Sequence, residues 1–150
     1  MSNYLTPEGM EKFKKELINL ETVKRRELAD KLNYAISFGD LKENAAYHEA
    51  KEAQGFLEGR ILELKGIISN AQVVEKVNNG LVGIGSTVLL SLNGSNEEYS
   101  IVSPEEADVF KGKISFKSPL GKVLMGKTKG HKINIDAPGG KTEYFIVDIK

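Results

Sequence analysis

The chain has no cysteine, no tryptophan, few prolines and no excess of either charge, with 21 lysines and arginines against 21 aspartates and glutamates. Each absence excludes something. Without cysteine there is no disulfide framework, no thiolate metal site and no cysteine nucleophile. Without a basic surplus the chain does not hold nucleic acid mainly by releasing counterions, so any contact with RNA must be local. The charge balance holds in both halves, residues 1–76 and 77–150. No stretch approaches the roughly 18 apolar residues of a membrane span, and Met1-Ser2-Asn3-Tyr4-Leu5 lacks a basic region followed by an apolar core. These features predict a soluble, cytoplasmic protein with no membrane partner.

What is present divides by periodicity. Proline is absent from Glu8 to Ser103, and through about Gln72 apolar residues recur at helical spacing. Thr6-Pro7 is a start signal, a hydroxyl N-cap followed by proline at the first helical position, where its missing N–H costs nothing. A first helix is predicted from Pro7 to Ser37, with Met10, Phe13, Leu17, Leu20 and Val23 on one seam and Leu28, Leu32 and Ile36 continuing it after an irregularity near Arg25 and Arg26. A second run, Ala46, Ala50, Ala53, Leu57, Ile61, Leu64, Ile68 and Ala71, keeps a heptad throughout. Only Phe38-Gly39-Asp40-Leu41 separates them, room for a tight reversal and nothing else. An antiparallel helical hairpin, a coiled coil over residues 1–78, is therefore expected. About 30 residues at ~1.5 Å each make a rod of about 45 Å, which should project, with a thin, alanine-rich tip. Gly55, Gly59 and Gly66 weaken the second helix, and close approach of the helices is the expected reason.

After Asn78-Asn79-Gly80 the period changes to two. Thr87 to Leu92, Glu98 to Val102, Lys113 to Phe116, Lys132 to Ile135 and Thr142 to Ile149 read as strands, with turns at Asn93-Gly94, Ser118-Pro119, Lys129-Gly130 and Pro138-Gly139-Gly140. Pro119 to Gly126 is expected to form a short helix. The fold class is thus α followed by α+β, the second domain being small, β-rich and spanning residues 79–150.

The sharpest chemical feature lies at the reversal, Gly39-Asp40-Leu41-Lys42-Glu43-Asn44. If the second helix begins near Leu41, Asp40 and Glu43 share one side of its first turn. Two readings then stand side by side. Asp-x-x-Glu is a capping box. It is also a carboxylate pair able to take part in holding Mg²⁺, a cation that keeps several waters and accepts a few oxygens. Two carboxylates make no tight magnesium site alone, so a partner would supply the rest.

The stretch Gly39-Asp40-Leu41-Lys42-Glu43-Asn44-Ala45-Ala46-Tyr47-His48, with Gln54-Gly55-Phe56 and Glu58-Gly59-Arg60-Ile61, resembles the hairpin of the bacterial transcript-cleavage factors of the GreA/GreB family. The likeness extends to Leu5-Thr6-Pro7-Glu8-Gly9, Ser118-Pro119-Leu120-Gly121, Leu124-Met125-Gly126-Lys127 and Pro138-Gly139-Gly140, and so covers essentially the whole chain. The resemblance implies an FKBP-like second domain that docks at the rim of the RNA polymerase secondary channel, and a coiled coil that enters it. It implies that Asp40 and Glu43 are the catalytic and metal-binding pair, sharing with polymerase a Mg²⁺ at which the RNA 3′ end of a backtracked complex is cut. On this reading the protein is not an enzyme on its own; it is a monomer that activates the cleavage activity of RNA polymerase, and its second partner is the nascent RNA 3′ end.

One departure stands out. Basic residues that attract extruded RNA near the tip of the family's hairpin are replaced by Ala35, Ile36, Ser37 and Phe38, leaving Lys42 and Lys51 as RNA-binding candidates or as solvated helix charges. Short-fragment cleavage with weakened RNA capture is the expectation. Tyr47 and His48 are expected to pack or bond at the tip, and Phe13, Phe56 and Leu57 to belong to the core. Two rivals remain: a non-cleaving occupant of the secondary channel, and a prolyl isomerase built on Phe110, Phe116, Tyr144 and Phe145.

Overall fold

In the computed structural model, which describes residues 3–137 and 139–150, contacts group the chain into two units. One holds Met10–Asn70; the other joins the amino-terminal residues through Gly9 to Ala71–Lys150. Met1, Ser2 and Pro138, which carry parts of the expected amino-terminal and turn motifs, lie outside the described residues. The change of period at Gly80 does not reveal that the first nine residues group with the last eighty.

Helix α1 (Pro7–Asn19) starts where Thr6-Pro7 requires, with the Gly9 N–H donating to Thr6 Oγ1 at 3.0 Å. It passes through a π-helical segment, Leu20–Lys24, into α2 (Arg25–Ile36). The π-helical segment accounts for the irregular seam: Arg25 N–H donates to Leu20 O, five residues back, and such a turn absorbs the five-residue step from Val23 to Leu28. Thr22 Oγ1 also donates to Ile18 O at 2.6 Å, the kind of back-bond that bends a helix. Beyond it the seam shifts. Ala35 is 1% exposed, whereas Ile36, expected to continue the seam, is 44% exposed, and Val23 is exposed as well.

Helix α3 (Ala45–Ser69) buries Ala50, Ile61 and Leu64. Leu57 and Ile68 are half-buried, while Ala46 and Ala53 of the expected heptad are exposed, as is Phe56, read above as core. Two side-chain forks tie α3 back across the hairpin. Arg25 donates Nε and Nη2 to Glu58 at 2.9 and 2.8 Å, and Arg60 donates Nε and Nη2 to Glu16 at 2.9 and 3.0 Å. Bidentate pairing fixes register as well as attraction. A Cβ at Gly55, Gly59 or Gly66 would meet nothing within 4 Å, so close helix approach is not why glycine stands there, and nothing in the structure explains these glycines.

In the other unit β1 (Asn3–Leu5) pairs in parallel with β2 (Ala71–Val73), in the register Asn3 to Ala71 and Leu5 to Val73. Sequence periodicity misses both, because three residues are too few to show a period, and Ala71 reads as the end of the helical seam. The main sheet comprises β3 (Thr87–Leu92), β4 (Ser95–Val102), β5 (Lys113–Ser115), β6 (Lys132–Ala137) and β7 (Gly140–Ile149), in the order β5-β4-β3-β7-β6. All neighbours are antiparallel except β4 and β5. Val88 and Leu90 alternate inward from β3 to meet Ile101, Ile133 and Ile146, and α4 (Pro119–Leu124) contributes Leu124 to the same core. Gly121 is obligatory there, since a Cβ would stand 2.1 Å from Ser115 O. No helix of the described residues is long and apolar enough to cross a membrane.

Two outcomes follow from the hairpin. Gly55→Ala and Gly59→Ala, both at exposed helical positions with open space, should each raise stability by about 1 kcal/mol, seen as a higher melting temperature. The Arg25 guanidinium also holds the Glu58 carboxyl below its usual range. A lowered carboxyl pKa stabilises the fold above its unfolded value, near 4.5, and that contribution disappears as pH falls through the folded value. Glu58→Gln should therefore flatten the acid limb of the stability profile while changing its neutral plateau only slightly, because the pair is partly exposed.

Candidate functional site

Between α2 and α3 the chain has to reverse without splaying the helices. Phe38 N–H donates to Ala35 O at 3.2 Å and Gly39 N–H to Ile36 O at 3.0 Å, closing α2. Gly39 and Asp40 then take left-handed backbone angles, φ 73° and 46°. Glycine does this freely, and aspartate tolerates it better than most side-chain-bearing residues. A turn follows in which Glu43 N–H donates to Asp40 O at 3.1 Å. Residues one and four of such a turn have Cα atoms within about 7 Å, so the reversal brings Asp40 and Glu43 together, by a turn and not by a helical face.

The helix begins later than expected, and this removes the capping reading of the carboxylates. Asn44, with extended backbone, is the N-cap of α3: its Oδ1 accepts from Tyr47 N–H at 3.0 Å. Its Nδ2 donates to Ala35 O at 2.7 Å, so the same side chain also closes the end of α2. The capping box assigned to Asp40 and Glu43 is therefore replaced by Asn44, and both carboxylates are freed from that duty. An asparagine standing before Ala-Ala-Tyr was a legible N-cap signal, masked by the more conspicuous Asp-x-x-Glu.

Among the described residues neither the Asp40 nor the Glu43 carboxylate makes a hydrogen bond or ion pair, and both residues are exposed. Nor does any cluster of three or more His, Cys, Asp or Glu stand ready to hold a metal ion among them. The donor set fits part of a magnesium site, two hard oxygen ligands on a preformed turn, with the remaining ligands to come from outside the chain. Lys42 lies between the two acidic residues in sequence, and its carbonyl accepts from His48 Nε2 at 3.1 Å. His48 also meets the Tyr47 ring edge-on, so this pair supports the turn as expected. Lys51 lies apart on α3, its Nζ donating to Gln54 Oε1 at 3.1 Å, away from the turn. Sequence reading missed a further feature: Tyr34 and Phe38, both largely exposed, form an edge-to-face pair beside the turn.

The isomerase rival finds no support in the geometry. Phe110 is fully exposed, while Phe116 and Tyr144 pack on the sheet's core. An open cavity of about 410 Å³ in that unit, lined by residues such as Thr6, Val74, Lys76, Gly85, Glu106 and Lys113, has no aromatic wall.

Comparison with known proteins covers both units. Residues 3–73 match a family described as transcription elongation factor, N-terminal, and residues 77–150 match one described as transcription elongation factor, GreA/GreB, C-term. Transcription elongation factor GreA of Shouchella clausii is 44% identical over 99% of this chain and 96% of its own. The protein of the same name from Thermosipho africanus is 45% identical over 99% and 97%. Among solved structures, GreA factor homolog 1 of Thermus thermophilus is 30% identical over 100% of this chain and 99% of its own, with a TM-score of 0.47.

The cap assignment has a measurable consequence. Asn44→Ala should cost about 1–2 kcal/mol, because one side chain serves both helix ends, whereas Asp40→Gly, which removes the carboxylate without straining the left-handed backbone, should change the melting temperature little. Equal losses from the two substitutions would return the cap to Asp40.

Proposed function

The chain belongs to the GreA/GreB family of transcription elongation factors, and we propose that it acts by presenting the carboxylates of Asp40 and Glu43 to the active centre of RNA polymerase. It is a transcription elongation factor, with RNA polymerase as its partner. The finer reading takes the helical hairpin as a coiled coil that enters the polymerase secondary channel, and the sheet-bearing unit as an FKBP-like docking domain. Acting in the cytoplasm as a monomer, the protein stimulates cleavage of the RNA 3′ end in backtracked complexes and is not itself an enzyme.

The observation that carries this reading is the pair of exposed carboxylates that no group in the chain satisfies, held on a turn whose shape Asn44 maintains. Carboxylates with no internal role are available to a cation. When bound jointly with polymerase, Mg²⁺ would supply Lewis-acid stabilisation of the negative charge that develops on the oxygens around the phosphorus. The chain's own part is smaller and specific. Asp40 and Glu43 provide oxygen ligands and an acceptor able to orient a water. The left-handed residues Gly39 and Asp40 set the angle at which those oxygens leave the helix end. Lys42, between them in sequence, is the cation this reading assigns to a phosphate of the RNA, while Lys51 would first have to leave Gln54.

The test is a stalled, backtracked elongation complex in which shortening of the RNA 3′ end is followed with time. Asp40→Ala and Glu43→Ala should each lower factor-dependent cleavage by about a hundredfold while binding to polymerase is unchanged. Cleavage by the double variant at the parental rate would overturn the assignment. Binding without any cleavage by the parent protein would favour a channel occupant that regulates polymerase by other means.

A further inference from the structure

Tyr34 and Phe38 stand one helical turn apart at the end of α2, their ring centroids 4.9 Å apart and their planes at 90°. They are 69% and 67% exposed, an unusual outlay of aromatic surface on so thin a structure. Ala35, between them in sequence, is the residue that packs inward, so the pair faces off the seam. An edge-to-face contact occupies only one face of one ring, and the remaining faces are open to a third partner. The aromatic surface directly precedes the left-handed pair Gly39 and Asp40 and so borders the acidic turn. Ile36 and Ser37, which lie between the two rings in sequence, carry no charge, so this side of the turn offers nothing to a phosphate.

We propose that the Tyr34–Phe38 pair is a stacking platform for the unpaired 3′-terminal nucleobase of single-stranded RNA. The proposal rests on the reading of the acidic turn given above and adds a ligand contact to it. Single-stranded RNA is held by two kinds of interaction, cations along its backbone and aromatic rings against its bases, and the second requires no net charge and tolerates any base. With formal net charge zero and no cation at positions 35–38, the chain has little of the first and a ready supply of the second at the same place. Capture by stacking also depends only weakly on salt, unlike capture by phosphate contacts.

The experiment uses the full chain with a backtracked elongation complex whose RNA ends in 2-aminopurine, a base whose fluorescence is quenched by stacking. The parent protein should quench it, with little change between low and moderate salt. Phe38→Ala should lose most of the quenching and weaken apparent affinity for the complex about tenfold. Tyr34→Ala should fall between, and Phe38→Trp should restore the parental signal. On RNA ending in an abasic residue, the parent and Phe38→Ala should bind alike. Circular dichroism of each variant verifies that the hairpin is intact, and the tryptophan rescue separates a stacking role from a structural one. Equal quenching by the parent and Phe38→Ala would overturn the proposal. So would a Phe38→Ala deficit that persists on abasic RNA, which would place the contact on polymerase or on a phosphate instead. Should the parent protein quench the base but stimulate no cleavage, the cleavage reading fails while the stacking platform stands.

Discussion

Asn44 joins the end of α2 to the start of α3 through a single side chain. Its oxygen satisfies an N–H at the start of α3, and its nitrogen satisfies a carbonyl at the close of α2. Every helix leaves unpaired groups at its ends, and in a hairpin the C=O groups of one end face the N–H groups of the next. A single amide side chain, both donor and acceptor, is the economical solution. An aspartate at the same place could accept but not donate, and the Ala35 carbonyl would keep only its bond from the Phe38 N–H. The left-handed Gly39 and Asp40 and the turn that sets Asp40 against Glu43 are consequences of that closure, because the chain between Ala35 and Asn44 must return to within one side chain's length.

Register along the hairpin is set differently, by charge and by one local break in helical regularity. The π-helical segment Leu20–Lys24 inserts a residue into the first helix, and the Arg60–Glu16 and Arg25–Glu58 forks fall on either side of it. Such forks contribute modestly to stability where they are partly exposed, but their planar geometry rejects neighbouring registers. Few large side chains are buried in this part of the chain, so directional pairs specify what apolar packing alone leaves loose.

The sheet-bearing unit depends on a contact between residues one hundred positions apart. The Glu106 carboxylate accepts from the Thr6 N–H at 2.9 Å and from the Thr6 hydroxyl, with Ser103 Oγ donating at 3.2 Å. A Cβ at Gly9 would push on the Glu106 carboxylate, so a larger residue in Leu5-Thr6-Pro7-Glu8-Gly9 would move that carboxylate away from Thr6. Together with the β1–β2 pairing, this is why the first residues of the chain group with its last eighty.

Much of the molecule was legible beforehand because its signals are local. Thr6-Pro7 begins α1, β3 occupies Thr87–Leu92 as read, the short helix follows Ser118, and the two carboxylates stand on the reversal. A periodicity or a cap is written within a few residues, so the sequence by itself determined the kinds of element, their order and the place of the acidic pair. Which residue caps α3, which way the seam turns after Val23, why Ile36 is exposed while Ala35 is buried, and where Asn3–Leu5 finds a strand to pair with were decided only in the folded chain. Each of these depends on which distant groups come within hydrogen-bonding or packing distance, and a contact such as that between Thr6 and Glu106 leaves no pattern in the residues on either side of it.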